Sequence, residues 1–403
     1  MFRQLDKEME KRKIDTAVVV GESTLGNPEL AYIAGTPITR GGVFVKRRGH
    51  DPLLVVSHID VGNAKRGRIR NVRTYSDYGY EKLLKQYGPQ RGYIMLIDLL
   101  LQSVHTQGRV SIYGRDEFSH LLSVADYLRR IGYKVAGERN GSLIESLRET
   151  KDAEEINRIR KVGLRSARVV EGILEMLRQC TISSGKLRLK KKILTIGTVK
   201  SRINALLAEQ DLIAPEGSIF AVGPSSADPH NEGAAADPVR QGAPIVFDLF
   251  PVGDDGYWFD LTRTYVVGRA SSKVRRMFEI VHEVQASSLD LIEEGMPASD
   301  PMSTACEIFE RHGFKTIRAM LKGDKSAARE GFVHSLGHGV GLTIGERPNL
   351  SLFSDDMLKR SQVVTVEPGL YKPGVGGVRI EDTIVIKGRG IDNLTPLEKD
   401  LKI

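Results

Sequence analysis

Cysteine is nearly absent: Cys180 and Cys306 are the only two in 403 residues, far apart and outside any CxxC spacing. That excludes a disulfide framework and a cysteine zinc site, and makes a reducing cytoplasm the expected compartment. Long apolar runs are missing too. Thr16–Val20, the longest early one, is far too short for a secretory core or a bilayer span, and no later segment approaches twenty apolar residues. No nucleotide fingerprint is present either, since Gly21-Glu22-Ser23-Thr24-Leu25-Gly26 fits neither the dinucleotide nor the P-loop pattern and reads as a turn. There is no short-period repeat or low-complexity tract.

Lysine and arginine (59) exceed aspartate and glutamate (51), for a formal charge of +8. The excess is scattered, with local runs at Lys11–Lys13, Lys46–Arg48 and Lys186–Lys192 that lack interleaved aromatics. Such runs read as solvated surface, so no nucleic-acid partner is expected. The length favours two domains, each with enough apolar sequence for its own core.

Residues 1–145 read as alternating strands and helices. Phe2, Leu5 and Met9 predict an amphipathic helix, Thr16–Val20 a buried strand, Gly42–Val45 and Leu53–Val56 a hairpin, and Val110–Tyr113 with Glu117–Ile131 a strand and helix. A boundary falls near Ser146–Lys151. There a long charged helix begins, capped by Thr150 or Asp152, with Ile156, Ile159, Val162 and Leu164 on its apolar side. Cys180–Lys200 reads as a lysine-rich loop feeding a helix over Val199–Glu209. Strands are predicted at Ile219–Val222, Pro244–Phe250, Tyr257–Val267, Val363–Val366 and Val378–Ile386, with two helical stretches between Val267 and Leu321 broken at Gly295-Met296-Pro297.

The chemistry-bearing residues sit on or beside those later strands. Asp248 lies in an apolar strand, where a bare charge needs a partner. After a turn over Gly253–Gly256, Tyr257–Thr264 returns as the partner strand with Asp260 in it, and a hairpin can bring both aspartates to one end; a salt bridge to Arg263 is the plainer alternative. His338 is flanked by glycines that permit close approach, Glu367 ends a strand, and Glu381 shares a strand face with Arg379, while Asp382 should point away. Four carboxylates and an imidazole gathered together would repel ruinously without cations, so these five are candidates to hold two divalent ions around one water. Arg379 could orient the carboxylates from behind, or form an ordinary structural ion pair.

The runs His334-Ser335-Leu336-Gly337-His338-Gly339-Val340-Gly341-Leu342, Glu367-Pro368-Gly369 and Gly377-Val378-Arg379-Ile380-Glu381-Asp382, preceded by Asp248 and Asp260-Leu261-Thr262-Arg263-Thr264, resemble the pita-bread metallopeptidases. Within them the pattern is most similar to the Xaa-Pro peptidases, aminopeptidase P and prolidase. The similarity runs from about Leu147 to the end, and the segment before it resembles a creatinase-type domain. The resemblance implies a mixed α/β (α+β) fold: a creatinase-like N-terminal domain over 1–145 and a pita-bread catalytic domain over 146–403. It further implies a dinuclear hydrolase that removes an N-terminal residue preceding proline from peptides or dipeptides, by attack of a hydroxide bridging the metals. Asp248 would bind one ion, Asp260 and Glu381 both, and His338 and Glu367 the other. Glu367 would also be the general base, with His230 and His334 lining the substrate pocket and Arg379 and Thr262 supporting the ligands. His230, between Asp228 and Glu232, could instead be a plain surface-loop residue. Mn or Co is the implied metal, with Zn or Fe possible, and a homodimer is implied.

One departure stands out. Where the family carries Gly-Leu-x-x-His-Glu-x-Pro, this chain reads Gly341-Leu342-Thr343-Ile344-Gly345-Glu346-Arg347-Pro348, so Gly345 replaces a histidine. Arg347 could recognise a substrate carboxylate there, or be an ordinary loop arginine. Two other functions remain open at this level: a catalytically silent peptidase-like binding module, and creatinase-like C–N hydrolysis without metal.

Overall fold

The computed structural model describes residues 1–139 and 141–403, which form two compact units, Met1–Arg148 and Glu149–Ile403. In the first, six strands lie side by side in the order Asn71–Thr74, Leu53–Val56, Gly42–Arg47, Thr16–Gly21, Arg109–Arg115 and Lys134–Val135. Thr16–Gly21 pairs antiparallel with Gly42–Arg47 and parallel with Arg109–Arg115. All six of its residues are buried, as a central strand covered on both faces requires. The Gly21–Gly26 loop is a turn that leads into Asn27. The Asn27 side chain accepts the Leu30 N–H (3.1 Å) and donates to the Val20 carbonyl (3.0 Å), capping the helix Pro28–Ala34 onto the strand before it.

The second unit opens with the helix Ala153–Arg178. Asp152 caps it in a reciprocal box with Glu155, 2.9 Å each way, whereas Thr150 bridges to Gln362 instead. Ile159 and Val162 are buried, but Leu164 is exposed, because the helix turns that position away from the core. Gly163 meets the Phe259 ring so closely that a Cβ would lie 2.4 Å from Cε2. The ring beside Asp260 is thus seated directly on the helix backbone.

The lysine-rich segment differs from the loop expected. Thr181–Ser183, Lys186–Leu189 and Lys192–Ile193 form a small antiparallel sheet, pinned by buried Leu187, whose N–H donates to the Val239 carbonyl. Five basic side chains obscured a strand pattern carried by few apolar residues. The helix after it runs Ile196–Glu209.

Ile245–Leu249 is the middle strand of an antiparallel sheet with Ile219–Val222 and Leu261–Tyr265. A five-stranded sheet follows in the order Ile344–Leu350, Gly337–Val340, Val363–Val366, Asp382–Ile386 and Ile391–Asn393. The strand expected over Val378–Ile386 is divided: Gly376–Arg379 pairs with Gly369–Lys372, and Asp382–Ile386 pairs with Val363–Val366. The division falls at Ile380-Glu381, where Glu381 bridges to Thr262 and joins the two larger sheets. Helices Ser272–Leu291 and Ser299–Arg311 pack beside them, separated at Gly295 (φ +86°), and a short helix Ile317–Leu321 follows. Among the described residues no helix is long and apolar enough to cross a membrane.

Replacing Gly163 by leucine drives a side chain into Phe259, and overpacking of this kind costs about 1–3 kcal/mol. A lower thermal midpoint for Gly163→Leu, read by calorimetry, is expected; an unchanged midpoint would show that the ring can shift freely.

Candidate metal centre

Asp248 enters the site from the middle of its strand, directly across from Thr262 on the neighbouring one. Asp260 precedes that neighbouring strand, His338 lies in Gly337–Val340, Glu367 follows Val363–Val366, and Glu381 sits in the break between two strands. Each side chain is therefore carried by, or immediately next to, a paired strand, which fixes it more firmly than a free loop would. Asp248, Asp260 and Glu381 are buried, at 7%, 6% and 2% exposure, and Glu367 keeps 16% of its side chain accessible.

Ligand atoms of Asp260, His338 and Glu381 all lie within 4.8 Å of one another. His338 Nε2 is 3.6 Å from Asp260 Oδ2 and 3.5 Å from Glu367 Oε1, too far for good hydrogen bonds. Donors around one ion at ~2.1 Å are spaced by roughly 3–4 Å, so these separations suit a shared cation. Oδ1 of Asp248 and Oδ1 of Asp260 are buried with no hydrogen-bond partner among the described residues. Without positive charge the cluster resists ionisation: burial, then Glu381, Asp248 and Glu367, hold the Asp260 carboxyl far above its usual range. Burial, then Glu367 and Asp248, do the same to Glu381, and burial pushes Glu367 up to about 8. Orphaned oxygens and mutually repelling acids fit divalent metal ions.

Among the described residues, Arg379 is the guanidinium that hydrogen-bonds to a carboxylate of this cluster. It donates from Nη2 to Asp248 Oδ2 (2.5 Å), from Nε to Thr262 Oγ1 (3.2 Å), and from Nη1 to the Tyr371 hydroxyl (2.8 Å) and the Pro229 carbonyl (3.3 Å). Thr262 passes the chain on by donating to Glu381 Oε2 at 2.7 Å. Burial opposes the charge on Arg379, but Tyr371, Asp248, Glu367 and Glu381 keep it cationic. The hydrogen-bond path from Arg379 to Glu381 thus runs through Thr262, since the strand break between them removes the shared strand face expected.

The alternative of an Arg263–aspartate bridge takes a different form. Arg263 turns away and donates from Nη2 to Asp382 Oδ1 (2.7 Å) and from Nη1 to the carbonyls of Thr262 (2.9 Å) and Glu381 (2.7 Å). Asp382 is also met by Lys399 at 2.7 Å. Despite burial, Arg263 and Lys399 hold its carboxyl below the usual range. Consecutive acids thus point opposite ways, Glu381 into the cluster and Asp382 out to cations.

His334 Nδ1 donates to the Ser335 carbonyl (2.7 Å) and Nε2 accepts from the Tyr371 hydroxyl (2.9 Å), the tautomer these partners require. Burial first, then Arg379, lowers its pKa to about 3, so it is neutral. Tyr371 was not singled out from the sequence, although it faces Gly377 across the short hairpin that ends at Arg379. His230 is exposed on the loop after Gly223–Ala227, its backbone N–H donating to Asp228 at 3.2 Å. That loop is tied to the cluster through Pro229. Arg347 is engaged by Asp356, bonded through both Nε and Nη2, with Asp355 3.6 Å away. A substrate carboxylate would have to compete with those acids.

Gly345 is exposed, with φ +75° and nothing within 4 Å of a built Cβ. Its N–H lies 3.3 Å from His338 Nδ1, which also lies 3.1 Å from the Gly339 carbonyl. The Gly345 N–H points at Nδ1 as a donor, so metal binding through Nε2 would move the proton to Nδ1, turn it toward the Gly339 carbonyl and give up the Gly345 bond. The neighbouring Glu346 is buried against Lys151.

Residues 157–388 match the model of a metallopeptidase family, M24. The chain is 32% identical over 395 residues to the Xaa-Pro dipeptidase of Pyrococcus horikoshii, covering 98% of this chain and 96% of that protein. It is 31% identical over 312 residues to the Xaa-Pro dipeptidase of Pyrococcus furiosus, covering 75% and 84%. Among solved structures, the P. horikoshii prolidase superposes with a TM-score of 0.75 at 26% identity over 99% of both chains. The P. furiosus prolidase gives 0.73 at 28% identity, over 98% and 99%.

Stripping divalent ions with a chelator should lower the thermal midpoint, and Mn or Co should restore it, because the buried carboxylates then repel with only Arg379 between them. Identical melting curves with and without chelator, on protein shown to be metal-free, would remove the metal-centre reading.

Proposed function

The chain belongs to metallopeptidase family M24, and we propose that within it the protein is an Xaa-Pro peptidase whose Asp248, Asp260, His338, Glu367 and Glu381 hold two divalent metal ions. It is a metallopeptidase with the mixed α/β pita-bread fold. What carries the proposal for the site is the buried cluster itself, whose acids are forced toward neutrality and whose two orphaned oxygens have no partner among the described residues. Bound divalent ions would acidify a water, polarise the scissile carbonyl and stabilise the developing oxyanion.

The protein's own groups do the rest. Glu367, more exposed than the other acids, accepts a proton from the attacking water and returns it to the departing proline nitrogen. Asp248, Asp260, His338, Glu367 and Glu381 would together hold the ions, with Asp260 and Glu381 as the acids that would be shared between them. Arg379 and Thr262 fix Asp248 and Glu381 so that neither swings away between turnovers. Neutral His334 accepts from the Tyr371 hydroxyl and so aims the Tyr371–Arg379 pair beside the substrate. His230, exposed on a loop tied to Arg379, is placed to meet the peptide. The names of the relatives favour Xaa-Pro dipeptides as substrates, with longer Xaa-Pro peptides as the alternative. Retention of all five ligands disfavours both the silent binding module and metal-free C–N hydrolysis.

Purified protein with Mn or Co is expected to release the first residue from Xaa-Pro dipeptides and to act more weakly on longer Xaa-Pro peptides; the reverse preference would assign it to the aminopeptidase P type. Glu367→Ala should lose both its general base and a metal ligand, a drop of at least the ~10²–10⁴-fold that general-base catalysis contributes. Near-normal turnover in that variant would sink the mechanism. Gly345→His should reduce activity further, because a left-handed backbone disfavours any β-carbon. A rise would mean instead that the missing imidazole limits this site.

A further inference from the structure

We infer that Gln285 is a positioning residue that sets the separation of Glu367 and Glu381; this rests on the metal-site reading above. Gln285 lies on the buried face of the helix Ser272–Leu291, fully enclosed at 0% exposure and remote in sequence from every candidate ligand. Its side-chain nitrogen donates to two backbone carbonyls, Val366 O at 3.2 Å and Ile380 O at 3.3 Å. Those residues immediately precede Glu367 and Glu381. One planar amide therefore spans the ends of two strand segments and holds the carboxylates' backbones at a fixed distance.

The orientation of the amide follows from its neighbours. Both partners are acceptors, so only the NH₂ end can face them, and Oε1 is left buried without a hydrogen-bond partner. A side chain kept only to fill space would be apolar. Glutamine at this point supplies two diverging donors, and the orphaned oxygen is the consequence of pointing both at the strands.

Val363–Val366 pairs with Asp382–Ile386 as far as Val366–Asp382, and pairing resumes at Gly369–Arg379, with the Ile380 N–H reaching the Pro368 carbonyl at 3.4 Å, so Glu367 and Glu381 lie in the gap between two ladders. The Glu381 N–H bonds to the Thr262 carbonyl (3.0 Å) and the Glu367 N–H to the Leu336 carbonyl (2.8 Å), on different segments. Gln285 ties the two carbonyls at the edges of that gap, those of Val366 and Ile380, to one another. Ser288, one turn further along the same helix, is equally buried, yet its hydroxyl donates only to the Val284 carbonyl of its own helix. It provides the matched control for loss of a buried polar group.

The test is titration of the metal-free protein with Mn by calorimetry, alongside thermal melts of the same metal-free samples. Gln285→Met keeps length and volume but removes both donors. Its weaker-bound ion should lose about 10- to 100-fold in affinity, the usual effect of removing a group that orients a ligand. Turnover with saturating Mn should show a lower kcat with KM little changed. Ser288→Ala should bind Mn as the unaltered protein does. Gln285→Asn, one methylene short of both carbonyls, should show the same loss and replaces the methionine variant if that does not fold. Unaltered Mn affinity in the Gln285 variants, or an equal loss in Ser288→Ala, would overturn the positioning role. Absence of Mn uptake by the unaltered protein would instead bring down the metal-site reading beneath it.

Discussion

Repulsion among Asp248, Asp260, Glu367 and Glu381 is the constraint around which the second unit is organised. Acids confined at low dielectric either take up protons or gather cations, and among the described residues the guanidinium bonded to one of these carboxylates is that of Arg379. Every nitrogen of that guanidinium is engaged, by Asp248, Thr262, Tyr371 and the Pro229 carbonyl. The result is an arginine that cannot relax toward any one acid. Its charge is therefore shared across the cluster through Thr262 and Tyr371.

Rigidity behind the cluster comes from a second arginine with the opposite task. Arg263 is buried and donates to Asp382, to the Thr262 and Glu381 carbonyls, and to the Glu398 and Leu397 carbonyls at 3.0 and 2.8 Å. Its target carboxylate follows Glu381 directly, so the backbone between them is clamped from the rear while Glu381 is held from the front by Thr262. Removing one partner of such a buried pair typically costs about 3–5 kcal/mol, because the other charge is left uncompensated. Lys399 beside Asp382 would soften that loss.

Much of this arrangement was legible in the sequence because its signals are local. Asp248 in an apolar strand, glycines around His338 and a carboxylate ending Val363–Val366 each announce a charge held on a buried ladder, and the structure places them so. The register of the two aspartates was not legible, since a turn resets it, and Arg263 proved to serve Asp382. The break at Ile380-Glu381 was hidden by β-branched residues on both sides of it, Val378 and Ile380 before and Thr383-Ile384-Val385-Ile386 after; it arises from the non-local bridge to Thr262. Tyr371 and Gln285 escaped notice for the same reason. A tyrosine in a short strand and a glutamine in an amphipathic helix carry no local mark of what they touch, and their partners lie across the fold.

Charge balance also bears on how many ions the site takes. With all four acids ionised and Arg379 cationic, the cluster carries three negative charges, His338 being neutral as a ligand must be. One divalent ion leaves a net negative charge in a buried volume and two buried carboxylate oxygens of separate aspartates still to satisfy. Under the proposed two-ion reading, a second ion would reverse the sign by a single unit and offer a cation to both orphaned oxygens. The one net positive charge would then favour release of a proton from the site to solvent over its retention on any of the four acids.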